Sequence, residues 1–209
     1  MVAAAAFLVG IAVGSAPLRL VAKPIPVLCL AVWAGTKGRG AAARPVCLGL
    51  LLSAVGDVLL EASPGLFLAG LLAFLGAHVA YTAGFLLETR RASILRGVPF
   101  ALWAALGYFA MRAGLANLQV PVVVYLTAIC VMMWRAAATL GHEGPVQRHE
   151  RLALAGAVLF GMSDTLIGLD RFRAPLAGAR VPIILLYWLG QIGIVASTVL
   201  RPGTGYARR

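Results

Sequence analysis

Apolar segments long enough to cross a lipid bilayer make up most of this 209-residue chain. A transmembrane helix needs about 20 apolar residues, and a helix satisfies its own backbone hydrogen bonds inside the membrane. Hydrophobic residues form 61% of the chain and charged residues 12%, which is more apolar surface than a soluble domain of this length could bury. The sequence therefore predicts an all-α fold, a polytopic transmembrane bundle of about eight helices.

The gaps between the apolar segments are too short to hold a separate soluble domain, so we expect a single integral membrane domain over residues 1–209. The first two segments are short. Seven helices is the alternative if the first segment does not cross. The predicted spans are 1–17, 22–36, 44–61, 65–87, 94–112, 118–140, 151–169 and 181–200.

The excess of positive charge indicates membrane orientation rather than nucleic-acid binding. The formal net charge is +11, but Lys and Arg stand singly or in small groups between apolar segments, so we expect no nucleic-acid partner. Cytoplasmic loops of membrane proteins carry more Lys and Arg than loops on the other side, and this rule predicts cytoplasmic termini at both ends of the chain. The preponderance of Arg over Lys, with abundant Ala and Gly, is typical of a GC-rich bacterial genome and favours the bacterial inner membrane. The richer side carries Lys37, Arg39, Arg44, Arg90, Arg91, Arg96, Arg135, Arg148, Arg151, Arg201, Arg208 and Arg209, and the other side Arg19, Lys23, Arg112, Arg171, Arg173 and Arg180.

Two aspartates lie inside apolar segments, in matching surroundings. Asp57 lies in GLLLSAVGDVLLE and Asp164 in GAVLFGMSDTLIG, each near the outer end of its predicted helix. A carboxylate in hydrocarbon is costly, so intramembrane aspartates are candidate functional residues. The matching positions also predict a parallel duplication of four plus four helices, as in some transport proteins.

Further polar residues lie inside the predicted spans, and each has a structural and a functional interpretation. Lys23 is either a lysine that extends to the interface or a cation for a lipid phosphate or a carboxylate. His78 and Tyr81 share a face, and His78 is either a packing residue or a group that transfers protons near neutral pH. Tyr187 and Gln191 share a face of the last helix, where they could orient water or a substrate oxygen.

Ser53 and Glu61 lie on the same helix face as Asp57. We expect Ser53 to bond its own backbone and Glu61 to lie in the hydrated interface. Gly49 continues this stripe and predicts a close approach of another helix.

The remaining motifs favour paired-carboxylate chemistry without a metal or another cofactor. Zinc hydrolases usually need three protein ligands rich in His, and His78 is the one good nitrogen ligand inside the predicted spans. The chain has no GxSxG elbow for a serine nucleophile. Its three cysteines fall singly in different segments, which is typical of small buried hydrophobic residues.

At these positions the chain resembles the lysoplasmalogenase (YhhN-like) family of integral membrane hydrolases. The resemblance implies eight transmembrane helices and hydrolysis of the vinyl ether bond of a lysoplasmalogen, to a fatty aldehyde and glycerophosphoethanolamine or glycerophosphocholine. It also implies that Lys23, Asp57, His78, Asp164, Tyr187 and Gln191 are the family's polar positions. The motifs are KPIPVLCL (23–30), SAVGDVLL (53–60), FLAGLLAFLGAHVAY (67–81), ERLALAGAVLFGMSDTLIGLDRF (150–172) and YWLGQ (187–191).

The chemistry of a vinyl ether fits two buried carboxyl groups. Protonation at carbon gives an oxocarbenium ion, which water captures as a hemiacetal. The reaction needs an acid that stays protonated at neutral pH and a carboxylate that activates water, and two carboxyl groups in a low-dielectric site can divide these roles. The sequence leaves open which aspartate is the acid; we take Asp57 as the base and Asp164 as the acid. Lys23 would hold the headgroup phosphate, with His78, Tyr81, Tyr187 and Gln191 in contact with the substrate.

Two other classes of function stay open on the sequence. A small-solute or proton-coupled transporter could also use midplane carboxylates in a duplicated bundle. A lipid-binding scaffold could pair its aspartates with Lys23 and His78. The lipid bilayer and a lysoplasmalogen or related lysophospholipid are the expected partners, and the oligomeric state is unknown.

Overall fold

The computed structural model describes residues 2–142 and 144–202, and these residues form an all-helical bundle without a strand. Short 3₁₀ turns at Pro64–Leu66, Ile94–Arg96, Arg112–Gly114 and Ala116–Leu118 connect or extend several of the helices. The α-helices are α1 (Val2–Ala12), α2 (Ala16–Ala22), α3 (Ile25–Lys37), α4 (Ala43–Ala62), α5 (Phe67–Glu88), α6 (Val98–Met111), α7 (Gln119–Ala138), α8 (Arg148–Phe172) and α9 (Arg180–Val199). The predicted polytopic bundle is confirmed.

Seven helical stretches of the described residues are long and apolar enough to cross a membrane. They are Ala16–Lys37, Ala43–Ala62, Pro64–Glu88, Ile94–Gly114, Ala116–Ala138, Arg148–Phe172 and Arg180–Val199. With α2 and α3 counted as one interrupted helix, α1 is the eighth helix. Its 11 residues reach about 16 Å, roughly half the hydrocarbon thickness of a bilayer. Judged by helix length, the alternative of seven membrane-spanning helices therefore fits the described residues.

The boundary between the first two helices differs from the prediction. The sequence placed it between residues 17 and 22, whereas the structure places a turn at residues 13–15 and continues the next helix through Arg19 and Lys23. This helix is interrupted only at Lys23 and Pro24. Pro24 and Pro26 have no backbone N–H, so two helical hydrogen bonds cannot form at this point.

Glycines bring α8 and α9 into close contact, and this is the most extensively packed helix pair. A side-chain carbon at Gly156 would lie 2.5 Å from the backbone nitrogen of Ile194 and 2.7 Å from the carbonyl oxygen of Gly190. One at Gly190 would lie 2.7 Å from the backbone nitrogen of Phe160. Only glycine permits this approach, because backbone atoms on the facing helix cannot rotate away.

The α4–α5 pair is the second most extensively packed, and it also uses glycines. A side-chain carbon at Gly49 would lie 2.3 Å from the ring of Tyr81, which confirms the predicted close approach. The predicted duplication equates α4–α5 with α8–α9; it remains a prediction.

The two ends of the bundle differ in charge. At one end the buried guanidinium of Arg135 donates to the backbone carbonyls of Thr89 and Arg91, just beyond α5, and Arg201 pairs with Glu88. The predicted cytoplasmic placement of the termini concerns Met1 and residues 203–209, which lie outside the described residues. The other end, where α4 and α8 finish, contains the candidate site. We call it the outer end.

Candidate functional site

The carboxylate of Asp57 is buried between three helices at the outer end. Its side chain is 1% exposed. The hydroxyl of Tyr187 on α9 donates to Oδ2 at 2.8 Å, and Nζ of Lys23, at the break between α2 and α3, lies 3.7 Å from Oδ1. A hydroxyl donor and a cation are the partners that a buried carboxylate needs. The Lys23–Pro24 break thus places its ammonium group beside α4.

Asp164 has a different set of partners, supplied by α5 and α7. Tyr125 donates its hydroxyl to Oδ2 at 2.7 Å, and Nε2 of His78 lies 3.2 Å from the same oxygen. His78 is fully buried, with its ring 5.2 Å from that of Tyr125 and 4.8 Å from that of Phe160. The packing of these rings fixes the orientation of the imidazole.

The contacts of His78 show where a proton is held. Its Nδ1 lies 2.6 Å from the carbonyl oxygen of Phe74, which can only accept, so Nδ1 carries a hydrogen. A neutral ring then presents a bare Nε2 to Asp164, which is favourable when Asp164 is protonated. A charged ring instead donates Nε2–H to a carboxylate. In both arrangements the pair holds one proton, although Nε2 and Oδ2, 3.2 Å apart, do not meet in hydrogen-bond geometry in this structure.

A third polar cluster consists of Ser53, Tyr81 and Gln191, and its members bond to one another. Tyr81 donates to Oε1 of Gln191 at 2.7 Å, and Nε2 of Gln191 donates to the Ser53 hydroxyl at 3.0 Å. The Ser53 and Tyr81 hydroxyls lie 3.4 Å apart. These mutual bonds connect α4, α5 and α9. The expectation that Ser53 bonds its own backbone was wrong.

Aromatic rings separate the two aspartate clusters. The ring of Tyr187, which bonds Asp57, lies 5.4 Å from that of Phe160 and 5.8 Å from that of Phe74. Phe160 in turn contacts His78, the partner of Asp164. A chain of packed aromatic side chains therefore lies between the two carboxyl groups.

Two adjoining cavities open beside these clusters. A small apolar cavity has Asp164 and Tyr125 in its wall, among residues such as Phe74, Leu126 and Phe172. A polar cavity of about 210 Å³ is lined by charged residues and by apolar residues of α1 and α9. Its charged residues are Lys23, Glu61, Asp170, Arg171 and Arg180. Leu60, Phe67 and Ile167 line both cavities, so the apolar one begins where the polar one ends.

Glu61 lies at the centre of an ion-pair network in the wall of the polar cavity. Its Oε1 lies 2.6 Å from Nε of Arg19 and 3.6 Å from Nη1 of Arg180, and its Oε2 lies 3.7 Å from Nζ of Lys23. The sequence predicted a hydrated interfacial residue; the structure shows a carboxylate with three cationic neighbours.

The structure sorts the predicted site residues into three groups. Lys23 and Tyr187 lie with Asp57, His78 lies with Asp164, and Tyr81 and Gln191 lie apart with Ser53. Of the two aspartates, Asp164 is in the wall of the apolar cavity, whereas Asp57 lies behind Lys23. Among the residues described, no three His, Cys, Asp or Glu side chains come together as metal ligands would.

Sequence reasoning missed Tyr125, Arg171 and Arg180. Tyr125 lies inside an apolar span, and a buried tyrosine hydroxyl needs a hydrogen-bond partner, which was the available signal. The two arginines were interpreted only as loop charges that set orientation.

Comparison with known proteins adds the family. Residues 18–198 match the YhhN family. The chain belongs to the YhhN family. Among curated relatives, lysoplasmalogenase TMEM86A of Bos taurus is 32% identical over 185 residues, covering 85% of this chain and 76% of the relative. Lysoplasmalogenase TMEM86B of Sus scrofa is 34% identical over 184 residues, covering 86% and 75%. The lysoplasmalogenase of Mycobacterium tuberculosis is 34% identical over 192 residues, covering 88% and 71%. No solved structure matches this YhhN-family chain.

Proposed function

We propose that this YhhN-family protein is a lysoplasmalogenase, a membrane hydrolase that cleaves the vinyl ether bond of lysoplasmalogens. The products are a fatty aldehyde and glycerophosphoethanolamine or glycerophosphocholine. The relatives named lysoplasmalogenase support this class of reaction. The observation that carries it is the pair of adjoining cavities, one apolar and one charged, with a carboxyl group in the wall of the apolar one.

The division into an apolar and a charged cavity matches the two parts of a single-chain lipid. The alkenyl chain lies in the apolar cavity and the headgroup in the polar one. The vinyl ether, which joins these two parts of the lipid, then lies near Leu60, Phe67 and Ile167, the residues common to both cavities. Asp164 lies in the wall of the apolar cavity, one helical turn before Ile167 on α8.

The Asp164–His78 pair acts as the acid. The shared proton passes from Oδ2 to the alkene carbon remote from oxygen, and the adjacent carbon becomes an oxocarbenium ion. His78 and the Tyr125 hydroxyl stabilise the carboxylate that remains. A fixed acid of this kind contributes roughly a 10²–10⁴-fold rate increase.

Asp57 acts as the base. Lys23 and Tyr187 favour its carboxylate form, which accepts a proton from a water molecule entering beside Lys23 from the polar cavity. The water oxygen bonds to the oxocarbenium carbon and gives a hemiacetal. As the C–O bond to glycerol breaks, Asp57 gives its proton to the departing glycerol oxygen. The hemiacetal hydroxyl gives its proton to Asp164 as it becomes the aldehyde carbonyl, so both carboxyl groups return to their starting state.

Aldehyde release from a defined lipid tests this function. The purified protein is expected to release aldehyde from lysoplasmenylethanolamine and none from its saturated alkyl ether analogue, which cannot form the oxocarbenium ion by protonation. Asp57→Asn and Asp164→Asn should each abolish release in protein that still inserts in the membrane. Glu88→Gln is the matched control, because it removes a carboxylate at the opposite end of α5. Full activity in either aspartate variant would refute the paired role, and gradient-driven solute uptake without aldehyde would favour a transporter.

A further inference from the structure

The polar cavity carries more positive than negative charge. Four cationic side chains lie in or beside its wall against three carboxylates, which leaves an excess of one positive charge. The cations are Arg19, Lys23, Arg171 and Arg180, and the carboxylates are Asp57, Glu61 and Asp170. A phosphodiester carries one negative charge and would balance this excess.

Two of the four cations already have close anionic partners. Lys23 lies 3.7 Å from both Asp57 and Glu61, so two carboxylates neutralise its ammonium group. Arg19 donates to Glu61 at 2.6 Å and also approaches the Gly10 carbonyl at 3.4 Å. Neither group can bind an incoming anion strongly without giving up these partners.

Arg171 and Arg180 have donors available to a ligand. The guanidinium of Arg171 lies 4.7 Å from the ring centre of Phe67, over its face. Stacking of this kind occupies the face of the cation and leaves its edge N–H groups free to bond. Within the described residues, no salt bridge pairs Arg171 with a carboxylate. Arg180 has one long contact, 3.6 Å to Glu61, and its side chain is 62% exposed.

These two arginines are also correctly placed for a lipid. Phe67 lines both cavities, and the Arg171 guanidinium stacks on its ring. Arg171 therefore lies at the junction of the cavities. Arg180 starts α9 on the facing side of the polar cavity. A phosphate separated from the vinyl ether by one glycerol unit would lie at the level of these two arginines.

We propose that Arg171 and Arg180 bind the phosphodiester of the lipid headgroup, and that Lys23 serves instead to neutralise Asp57 and Glu61. This inference rests on the proposed function for the identity of the lipid. The ligand class is a single-chain glycerolipid with a phosphodiester. Paired N–H groups of arginine match phosphate oxygens in geometry as well as in charge.

Binding of uncleavable lipids tests the inference without depending on catalysis. The probes are a 1-alkyl glycerophosphoethanolamine and the 1-alkylglycerol that lacks the phosphate, measured by calorimetry on the full chain in detergent. Arg171→Gln and Arg180→Gln should each weaken binding of the phospholipid roughly tenfold or more, the loss expected for a charge-assisted hydrogen bond, and leave the alkylglycerol unchanged. Arg173→Gln is the matched control, an exposed arginine directly after α8 that does not line the cavity.

Three further results complete the test. Arg180→Lys should retain part of the affinity because it keeps the charge. Inorganic phosphate should fail to displace the phospholipid at concentrations where glycerophosphoethanolamine does; displacement by phosphate alone would mean an anion site that does not recognise a lipid. Equal losses for both lipids, or no loss in either variant, would overturn the inference. Absence of aldehyde release with this binding pattern intact would refute the proposed reaction alone.

Discussion

At the scale of single residues, the proposed chemistry depends on the proton carried by the His78–Asp164 pair. Because Nδ1 is committed to the Phe74 carbonyl, Nε2 is the only ring atom that can exchange a proton with the carboxyl group. Nε2 makes no hydrogen bond of correct geometry to any described residue, Asp164 included. The aromatic packing around the ring holds Nε2 3.2 Å from Oδ2 of Asp164. Loss of this nitrogen should therefore affect proton transfer more than the packing of the site.

His78→Phe tests this arrangement. A phenyl ring keeps an aromatic contact with Phe160 and Tyr125, but it removes both nitrogens, the one that faces Asp164 and the one that bonds the Phe74 carbonyl. We expect kcat for aldehyde release to fall roughly 10²–10⁴-fold with little change in KM. Tyr125→Phe removes one hydrogen bond to the same carboxyl and should cost about tenfold or less. An unchanged kcat in His78→Phe would contradict the role of the His78–Asp164 pair as the acid.

At the scale of helices, the α8–α9 contact holds the two halves of the site in register. Asp164 lies on α8 and Tyr187 on α9, and the hydroxyl of Ser163 donates to the Ile183 carbonyl between the same helices at 2.9 Å. The glycines of this interface therefore fix the spacing between the two aspartate clusters, although none of them touches a polar site residue.

Gly156→Ala should destabilise the protein. The added methyl group would meet the backbone of α9 at 2.5 Å, and such overpacking costs about 1–3 kcal/mol. The expected result is a lower thermal unfolding midpoint in detergent. Gly35→Ala in α3 is the control, because its nearest neighbour would be Sγ of Cys47 at 3.8 Å, an ordinary contact. An equal midpoint for the two variants would show that α8 can move away from α9 without cost.

Helix boundaries could be predicted from the sequence where charged residues lie outside the helices. They could not be predicted where charged residues form ion pairs inside the bundle. The predicted spans 44–61 and 181–200 differ by one residue from the helices Ala43–Ala62 and Arg180–Val199. The first boundary was wrong because Arg19 and Lys23 resemble loop charges. In the structure Arg19 lies within α2 and Lys23 at the break between α2 and α3, where Glu61 and Asp57 on α4 neutralise them.

The sequence could predict which residues belong to the site, but not which of them contact one another. Helical spacing shows which residues share a face, and it correctly placed Asp57, Asp164 and Gln191 in the interior. It does not show which helix faces them. The assignment of Tyr187 to Asp57, and of Gln191 to Ser53, depends on the position of α9 against α4, which one sequence does not encode in any local pattern.

At the scale of the whole molecule, helices of very different exposure surround the site. α6 is peripheral and presents Leu102, Leu106 and Phe109 outward, so lipid covers it. The polar cavity opens at the outer end of the bundle, opposite the end with most basic residues. The positive-inside rule predicts that this end faces away from the cytoplasm.

Cysteine labelling in cells tests that orientation. In a background without Cys29, Cys47 and Cys130, a membrane-impermeant thiol reagent should label Ala177→Cys in intact cells. Both Ala177 and Ala41 are exposed, at opposite ends of the bundle. Ala41→Cys should react only after permeabilisation. The reverse pattern would place the polar cavity on the cytoplasmic side and contradict the predicted orientation.

The contrast between the two adjoining cavities also governs how a cleaved lipid departs. In the proposed reaction, hydrolysis turns one amphiphile into a molecule that prefers oil and a molecule that prefers water, and each is formed beside its own medium. The aldehyde can partition directly into the hydrocarbon of the bilayer, while the glycerophosphodiester diffuses into the aqueous phase. Once the two fragments have separated in this way, dilution on both sides makes the reverse reaction negligible.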